Sequence, residues 1–447
     1  MFKKISIKLA AGILIAALAS VGCNKNQERK FEGPARAGVP PLPQQSIPVD
    51  ANSIITTTHL TNDKVWLIDG VSYVAPGQTL TIDPGTVLIP GAAKTYNDPS
   101  YGPQTIKGVL VVTKGGKLIA NGDPSAPIVF TSPNATGRAA GQGASVVILG
   151  DAPTNKTNPR IEGIPDPLPA SVNVNYGGSN PSDNSGSLQY VRIEFPGYKI
   201  IEGNEINGLT LGGVGSGTTL SNIQVSWSAD DAFEFFGGTV NADHLIALSN
   251  DDDDFDFDFG YSGTITYGIS LKDPNSTFSP NSTPPSDANG LESDNDGSGS
   301  SATPATLPVL RNFTFVGIED QSVATNNLKF GNRWRRATSM NIENSIIIGY
   351  NTGVSFETSN LTGNFSNNAV HGFTTAVAGT TPANYTGNGL ATGSAPAASF
   401  AGNPFYTGGG YNAANLQALS GIYATAVGAM GSVDWTLGWS EFDPQNY

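Results

Sequence analysis

Cysteine is almost missing from this 447-residue chain, which has one, Cys23. A single thiol forms no intramolecular disulfide, and Cys-rich zinc or iron–sulfur sites are excluded with it. Charge is also scarce, at 13% Asp, Glu, Lys and Arg against about 25% in an average protein. Of the charged residues 37 are acidic and 23 basic, a net charge of −14. Such a chain has little with which to neutralise phosphates, so nucleic acid is not an expected partner. Beyond the N-terminus no apolar run reaches the ~18 residues that a membrane-spanning helix needs. The histidines His59, His244 and His371 lie far apart, and there is no Gly-x-Ser-x-Gly, P-loop or His-x-x-x-His. Serine-hydrolase, nucleotide and zinc chemistry therefore lack support.

What the chain does have is turns. There are 54 Gly and 30 Pro, about 19% of positions where average usage gives roughly 12%. With 38% apolar residues, disorder throughout is not expected. The N-terminus places Lys3, Lys4 and Lys8 before an apolar run over 9–21, then Ser20-Val-Gly-Cys23. This resembles the bacterial lipoprotein signal, in which cleavage precedes a Cys that is then acylated. The resemblance implies a signal peptide over 1–22 and lipidation of Cys23. Asn24 is not the Asp that favours inner-membrane retention, so the outer membrane or cell surface is expected. Residues 23–55, with Pro34, Pro40, Pro41, Pro43 and Pro48, read as a Pro-rich tether.

From residue 56 to 447 a single domain is expected. Short β-like runs alternate with Gly, Asn, Asp and Pro, and no dozen residues show a helical period. Asp230, Asp231, Phe233, Phe235 and Gly238 recur as Asp252, Asp253, Phe255, Phe257 and Gly260, 22 residues later. Ile223 and Val225 recur as Leu245 and Ala247, again at 22. A short-strand period of about 22 is one rung of a β-solenoid, in which stacked rungs bury what no rung can bury alone. Leu220-x-Asn222-Ile-x-Val225 is echoed by Leu310-x-Asn312-Phe-x-Phe315 and more loosely around Asn344, which predicts Asn at a left-handed rung corner. Segments 151–186, 273–308 and 378–415 read as side loops. The tail 428–447, with Trp435 and Trp439, reads as a cap over the last rung.

Taken together, Gly108-Val-Leu-Val-Val-x-Lys-Gly-Gly-Lys-Leu-Ile-Ala-Asn-Gly122, Pro127–Ser132, Thr79–Val87, Asp230–Gly238, Asp251–Gly263, Asn289–Asp296 and Gly428–Pro444 carry a family resemblance. The chain is similar to right-handed parallel β-helix lipoproteins of Bacteroidetes-type bacteria over roughly 60–444. The resemblance implies an all-β, right-handed parallel β-helix. It implies no activity, since members are mostly without an assigned function.

Chemistry concentrates in 230–258, which holds ten carboxylates and no Lys or Arg. The 22-residue register stacks Glu234 beside Asp256 and Asp230-Asp231 beside Asp252-Asp253. Strand alternation sends Phe255, Phe257 and Phe259 inward and Asp256 and Asp258 outward. Like charges ~5 Å apart repel by roughly 1 kcal/mol in water and severalfold more in protein, so either protons or a cation must intervene. Oxygen ligands without His or Cys suit calcium. The expected ligands are Asp230, Asp231, Asp252, Asp253, Asp254, Asp256 and Asp258, with Glu292, Asp294 and Asp296 as a second cluster. A solvated acidic face is the plain alternative.

The expected role is a non-catalytic, calcium-stabilised scaffold at the cell surface, binding glycan or a surface protein. The alternative is a polysaccharide lyase or glycosidase. A lyase would use Arg333 or Arg335 from Lys329–Arg336, a segment placed about four rungs, or ~20 Å, beyond the acidic rungs. A glycosidase would pair Glu234 with Asp231 or Asp256 at separations of ~5–9.5 Å.

Overall fold

The computed structural model describes residues 42–446 apart from 202, 275, 277, 279–286, 359–360, 395–412 and 423–425. The signal-like segment and Cys23 lie outside the described residues, as does the tether up to residue 41. Among the described residues, strands stack rung upon rung in one parallel system of 26, a right-handed parallel β-helix. Two small antiparallel hairpins, Lys94–Asp98 with Gly102–Ile106 and Tyr198–Ile201 with Asn204–Ile206, project from it. The coil begins inside the segment expected to be tether. Gln44–Ser46 pairs in parallel with Val65–Leu67, and Ile47 and Ile55 are buried.

Each rung has three faces, as residues 219–236 illustrate. The strand Thr219–Ser226 pairs along most of its length with Ala242–Leu248, but Asn222 interrupts it with φ 54°. That one left-handed residue turns the chain from the first face to the second. Its equivalents Tyr190, His244, Tyr267, Asn312, Asn344 and Asn367 all have φ between 51° and 62°. The expected Asn corner is therefore a column that also accepts His and Tyr. The third face follows, as Leu209–Gly212, Phe233–Phe236, Phe255–Asp258, Leu291–Ser293, Phe330–Trp334 and residues 352–356 stack in order. The recurring Gly238 and Gly260 close this face with φ 86° and 88°. A Cβ on Gly238 would lie 2.4 Å from the Val214 carbonyl oxygen, which explains why the repeat keeps glycine there.

The core runs along the axis. Phe233 stacks on Phe255 at 5.2 Å and Phe235 on Phe257 at 5.1 Å, the spacing that parallel stacking imposes on identical side chains. All four rings are fully buried. Each contributes about 1.5–3 kcal/mol by burial, and each stacked pair about 0.5–1.5 kcal/mol more.

Three expectations need correction. Segment 273–308 is not all loop, because Leu291–Ser293 is a rung strand. Segment 378–415 likewise opens with the strands Asn384–Thr386 and Gly389–Thr392, and its part 395–412 lies outside the described residues. The tail covers apolar surface, but along the flank of the coil and not over its last rung. Gly428 N donates to Asn344 O at 2.9 Å, Ala429 N to Thr314 Oγ1 at 2.8 Å, and Arg138 Nη1 to Pro444 O at 3.0 Å. The tail thus runs back from late rungs to early ones. Trp439, Phe442 and Met430 pack there against Ile246, Leu248, Ile269 and Ile348, an outward apolar stripe on the second face.

Candidate cation-binding cleft

The third face carries the acids. Thr210, Glu234, Asp256, Glu292 and Arg333 occupy one column in successive rungs, all on the outward side of strands whose alternate residues are core. The expected pairing of Glu234 with Asp256 is present. Glu292 is the next step of the same ladder, so the two clusters anticipated separately are one. Arg333 is one rung from Glu292 and two from Asp256, which overturns the ~20 Å separation. The residues between Leu271 and Leu291, and again between Ser293 and Val309, lengthen these rungs without adding any, so sequence distance overstated axial distance.

A second column lies at the preceding corner. Asp231 N donates to Asn207 Oδ1 at 3.2 Å, Asp253 N to Asp231 Oδ1 at 2.8 Å, and Asn289 N to Asp253 Oδ1 at 2.7 Å. Asp231 and Asp253 each use Oδ1 to fasten the next rung, and both residues line the cleft. Side-chain oxygens of Asp231, Glu234 and Asp256 lie within 4.8 Å of one another. The same holds for Asp231, Asp252 and Asp253, and for Asp253, Asp256 and Glu292. Asp231, Asp253 and Asp256 are each shared by two of these triads. Asp256 Oδ1 is buried and accepts no hydrogen bond.

These groups line a cleft of about 690 Å³. Its walls come from the side loops and a hairpin, which supply Glu162, Lys199, Glu205 and Asp287, while Asp294 continues the rung itself, its N donating to Phe257 O at 2.9 Å. Twelve carboxylates face three cationic side chains, Lys199, Arg335 and Arg336. The cations sit at the ends. Lys199 Nζ is 3.4 Å from Glu205 and 3.7 Å from Asp230. At the other end Arg335 bonds both Glu292 and Asp294, Arg336 bonds Asp294 at 2.7 Å, and Arg333 bonds Asp287, Glu292 and Glu357. Among the described residues no salt bridge reaches Asp231, Glu234, Asp252, Asp253, Asp256 or Asp258.

Burial, then mutual repulsion, raises these acids. Asp231 is pushed well above the carboxylate range by desolvation, then by Asp230 and Asp253. Asp256 is raised by desolvation, then by Glu292 and Asp253, and Glu234 by desolvation, then by Glu162 and Asp256. Glu162, Asp258 and Glu292 are pushed up to about 8, desolvation again leading. Without a cation the centre therefore keeps protons near neutral pH. For Arg335 burial pulls the pKa down, but Glu292 and Asp294 outweigh it and the net shift is upward.

Other expected ligands go elsewhere. Asp254 points into the coil, where Lys272 (3.1 Å), Asn250 (2.9 Å) and Ser270 (2.5 Å) satisfy it. Asp296 closes its own loop with Ser298 and Ser300. Asp230 pairs with Lys199, Asp294 with the arginines, and Asp258 lines the cleft outside the three triads. Phe259, expected inside, has φ 52° and instead stacks outside the core on Phe236 at 5.3 Å, with Lys156 Nζ 3.3 Å from its ring centre. Glu162, Lys199, Glu205 and Asp287 carry no signal in the sequence because they lie off the repeat, whereas Asn207, whose amide bonds Glu234, precedes Asp231 in the corner column with Asn in place of Asp.

The stacked triads fit a hard cation: they offer oxygen only, densely placed, with no His or Cys. A family model for the pectate-lyase-like beta helix domain matches residues 52–440, and the chain belongs to that family. No curated protein and no solved structure matches it.

Proposed function

We propose that the cleft holds calcium between its central carboxylates, and that the protein is a non-catalytic, surface-anchored scaffold binding acidic glycan there. One observation carries the reading: the chain's own cations neutralise the two ends of the cleft and leave its middle bare. Six buried or half-buried carboxylates on adjacent rungs are costly without a counter-charge. Calcium would supply that charge and keep coordination sites for a ligand's own carboxylates. The side loops and the hairpin form walls about the cleft, which gives a polymer a place to lie.

The second reading, a polysaccharide lyase, gains from Arg335 and Arg336 lining the same cleft. Against it, Arg335 is held by two carboxylates that raise its pKa, which opposes a role as a base. A panel of uronate polymers, tested with calcium and with EDTA, separates the readings. The scaffold predicts calcium-dependent retention of polymer with no rise in absorbance from an unsaturated product. Such a rise, lost in Arg335→Lys, would establish the lyase.

The basic and apolar N-terminus ending at Cys23 supports a lipid anchor, and with it an outer-membrane or cell-surface location. Labelled fatty acid is expected to enter the wild-type protein and not Cys23→Ala. Equal labelling of both would remove the anchor.

A further inference from the structure

Among the described residues Lys199 is the one lysine that lines the cleft. It reaches in from the hairpin Tyr198–Ile201 with Asn204–Ile206, which stands apart from the rungs. The hairpin is held from outside the cleft: Tyr198 donates to Gln104 at 3.3 Å, and Gly163 N donates to Asn204 Oδ1 at 2.7 Å. Inside the cleft Lys199 pairs across the hairpin with Glu205 Oε1 at 3.4 Å, and it ties the hairpin to the rungs through Asp230 Oδ1 at 3.7 Å. Asp230 adjoins Asp231, a member of two of the carboxylate triads. The ammonium therefore sits at the edge of the bare centre.

The two ends of the cleft differ in kind. Arg335 is 18% exposed and fastened by two carboxylates, with planar, paired contacts that resist displacement. Lys199 is 40% exposed, and both of its contacts are long, at 3.4 Å and 3.7 Å. A flexible ammonium on a half-exposed stem is a point charge that can leave for water at little cost.

We propose that Lys199 is a built-in competitor for the cleft's cation. In the metal-free protein it neutralises Asp230 and Glu205, and a divalent ion arriving at Asp231, Asp252 and Asp253 repels it outward. Lys199 thereby sets the affinity of the centre and couples occupancy to release of the hairpin. This rests on the calcium reading, because an ammonium has nothing to compete with in a cleft that binds no metal.

Calcium titrations of EDTA-stripped wild type, Lys199→Met and Lys199→Arg test it, with thermal melts of each in both states. Lys199→Met is expected to bind about 10–100-fold more tightly, since it removes a like charge beside the ion and frees two carboxylates. Lys199→Arg is expected to stay within about threefold of wild type, because the charge is kept. The metal-free Lys199→Met protein is expected to melt lower than wild type, and the loaded proteins to melt together. Hydrogen exchange on wild type needs no variant: calcium is expected to speed exchange across 198–206. Equal or weaker binding by Lys199→Met, or slower hairpin exchange with calcium, overturns the inference and leaves the calcium reading in place. No binding by wild type or variants overturns both.

Discussion

At the scale of single residues, neighbours on one strand serve opposite ends. Phe255 and Phe257 are core, while Asp256 between them faces the cleft. Asp253 and Asp254 are consecutive, yet one belongs to two carboxylate triads and the other is sealed inside against Lys272. The raised acids have a consequence for stability. Asp231, Glu234, Asp252, Asp253 and Asp256 titrate well above their ordinary range, and Glu162, Asp258 and Glu292 near 8, burial being the first cause in each. Between the ordinary carboxylate range and about pH 8 the folded, metal-free protein holds more protons than the unfolded chain. Stability then falls as pH rises through that window. Denaturant melts of EDTA-treated protein should show a midpoint that falls between about pH 5 and pH 8. If calcium binds there in place of the protons, as proposed, saturating calcium should flatten the curve. A metal-free midpoint that rises with pH would mean that the centre is not repulsive.

At the scale of elements, the third face and the tail complement each other. The third face is outwardly polar because its outward column carries acids, whereas the second face carries Ile246, Leu248, Ile269 and Ile348 outward and needs a cover. The tail provides it with Met430, Trp439 and Phe442, and the Gln224 side chain bonds the backbone of Glu441 on both sides. Removing residues 426–447 should lower the melting temperature and cause aggregation through the uncovered stripe. Trp439→Ala alone should cost about 3–5 kcal/mol in chemical denaturation. A truncated protein that is monomeric and unchanged in stability would show that the stripe needs no cover.

The elements also mark what the sequence could disclose. The Glu234–Asp256 contact was legible because two successive rungs keep a 22-residue spacing, and stacking turns a sequence period into a neighbour in space. Glu292 follows Asp256 by 36 positions and Arg333 follows Glu292 by 41, because excursions lengthen those rungs. The period is broken there while the ladder is not. Glu162, Lys199 and Glu205 come from segments outside the rungs, where no periodicity acts. The tail's apolar character was readable, but its partner was not. The outward isoleucines alternate with inward residues on strands buried on both sides, and a run of that kind gives no sign of which side a cover takes.

At the scale of the molecule, the shortage of charge and the excess of acid have one origin. A coil that turns three times per rung around an apolar axis needs Gly, Asn and aliphatic residues more than it needs charge. The acid it does carry is gathered where adjacent rungs place it side by side. Glu234, Asp256 and Glu292 sit on paired strands, so these carboxylates cannot spread apart as they would on a loop. The proposed divalent ion is what would make that arrangement sustainable near neutral pH. Isothermal titration of calcium into EDTA-stripped protein, beside the variant Asp231→Asn/Asp253→Asn/Asp256→Asn, tests this most directly. Wild type is predicted to bind saturably with a dissociation constant of ~1 mM or tighter, as in extracellular calcium modules, and to release protons on binding. The folded variant is predicted to show neither signal. Absence of binding by wild type up to ~10 mM calcium, or equal binding by the variant, would contradict a cation-holding cleft.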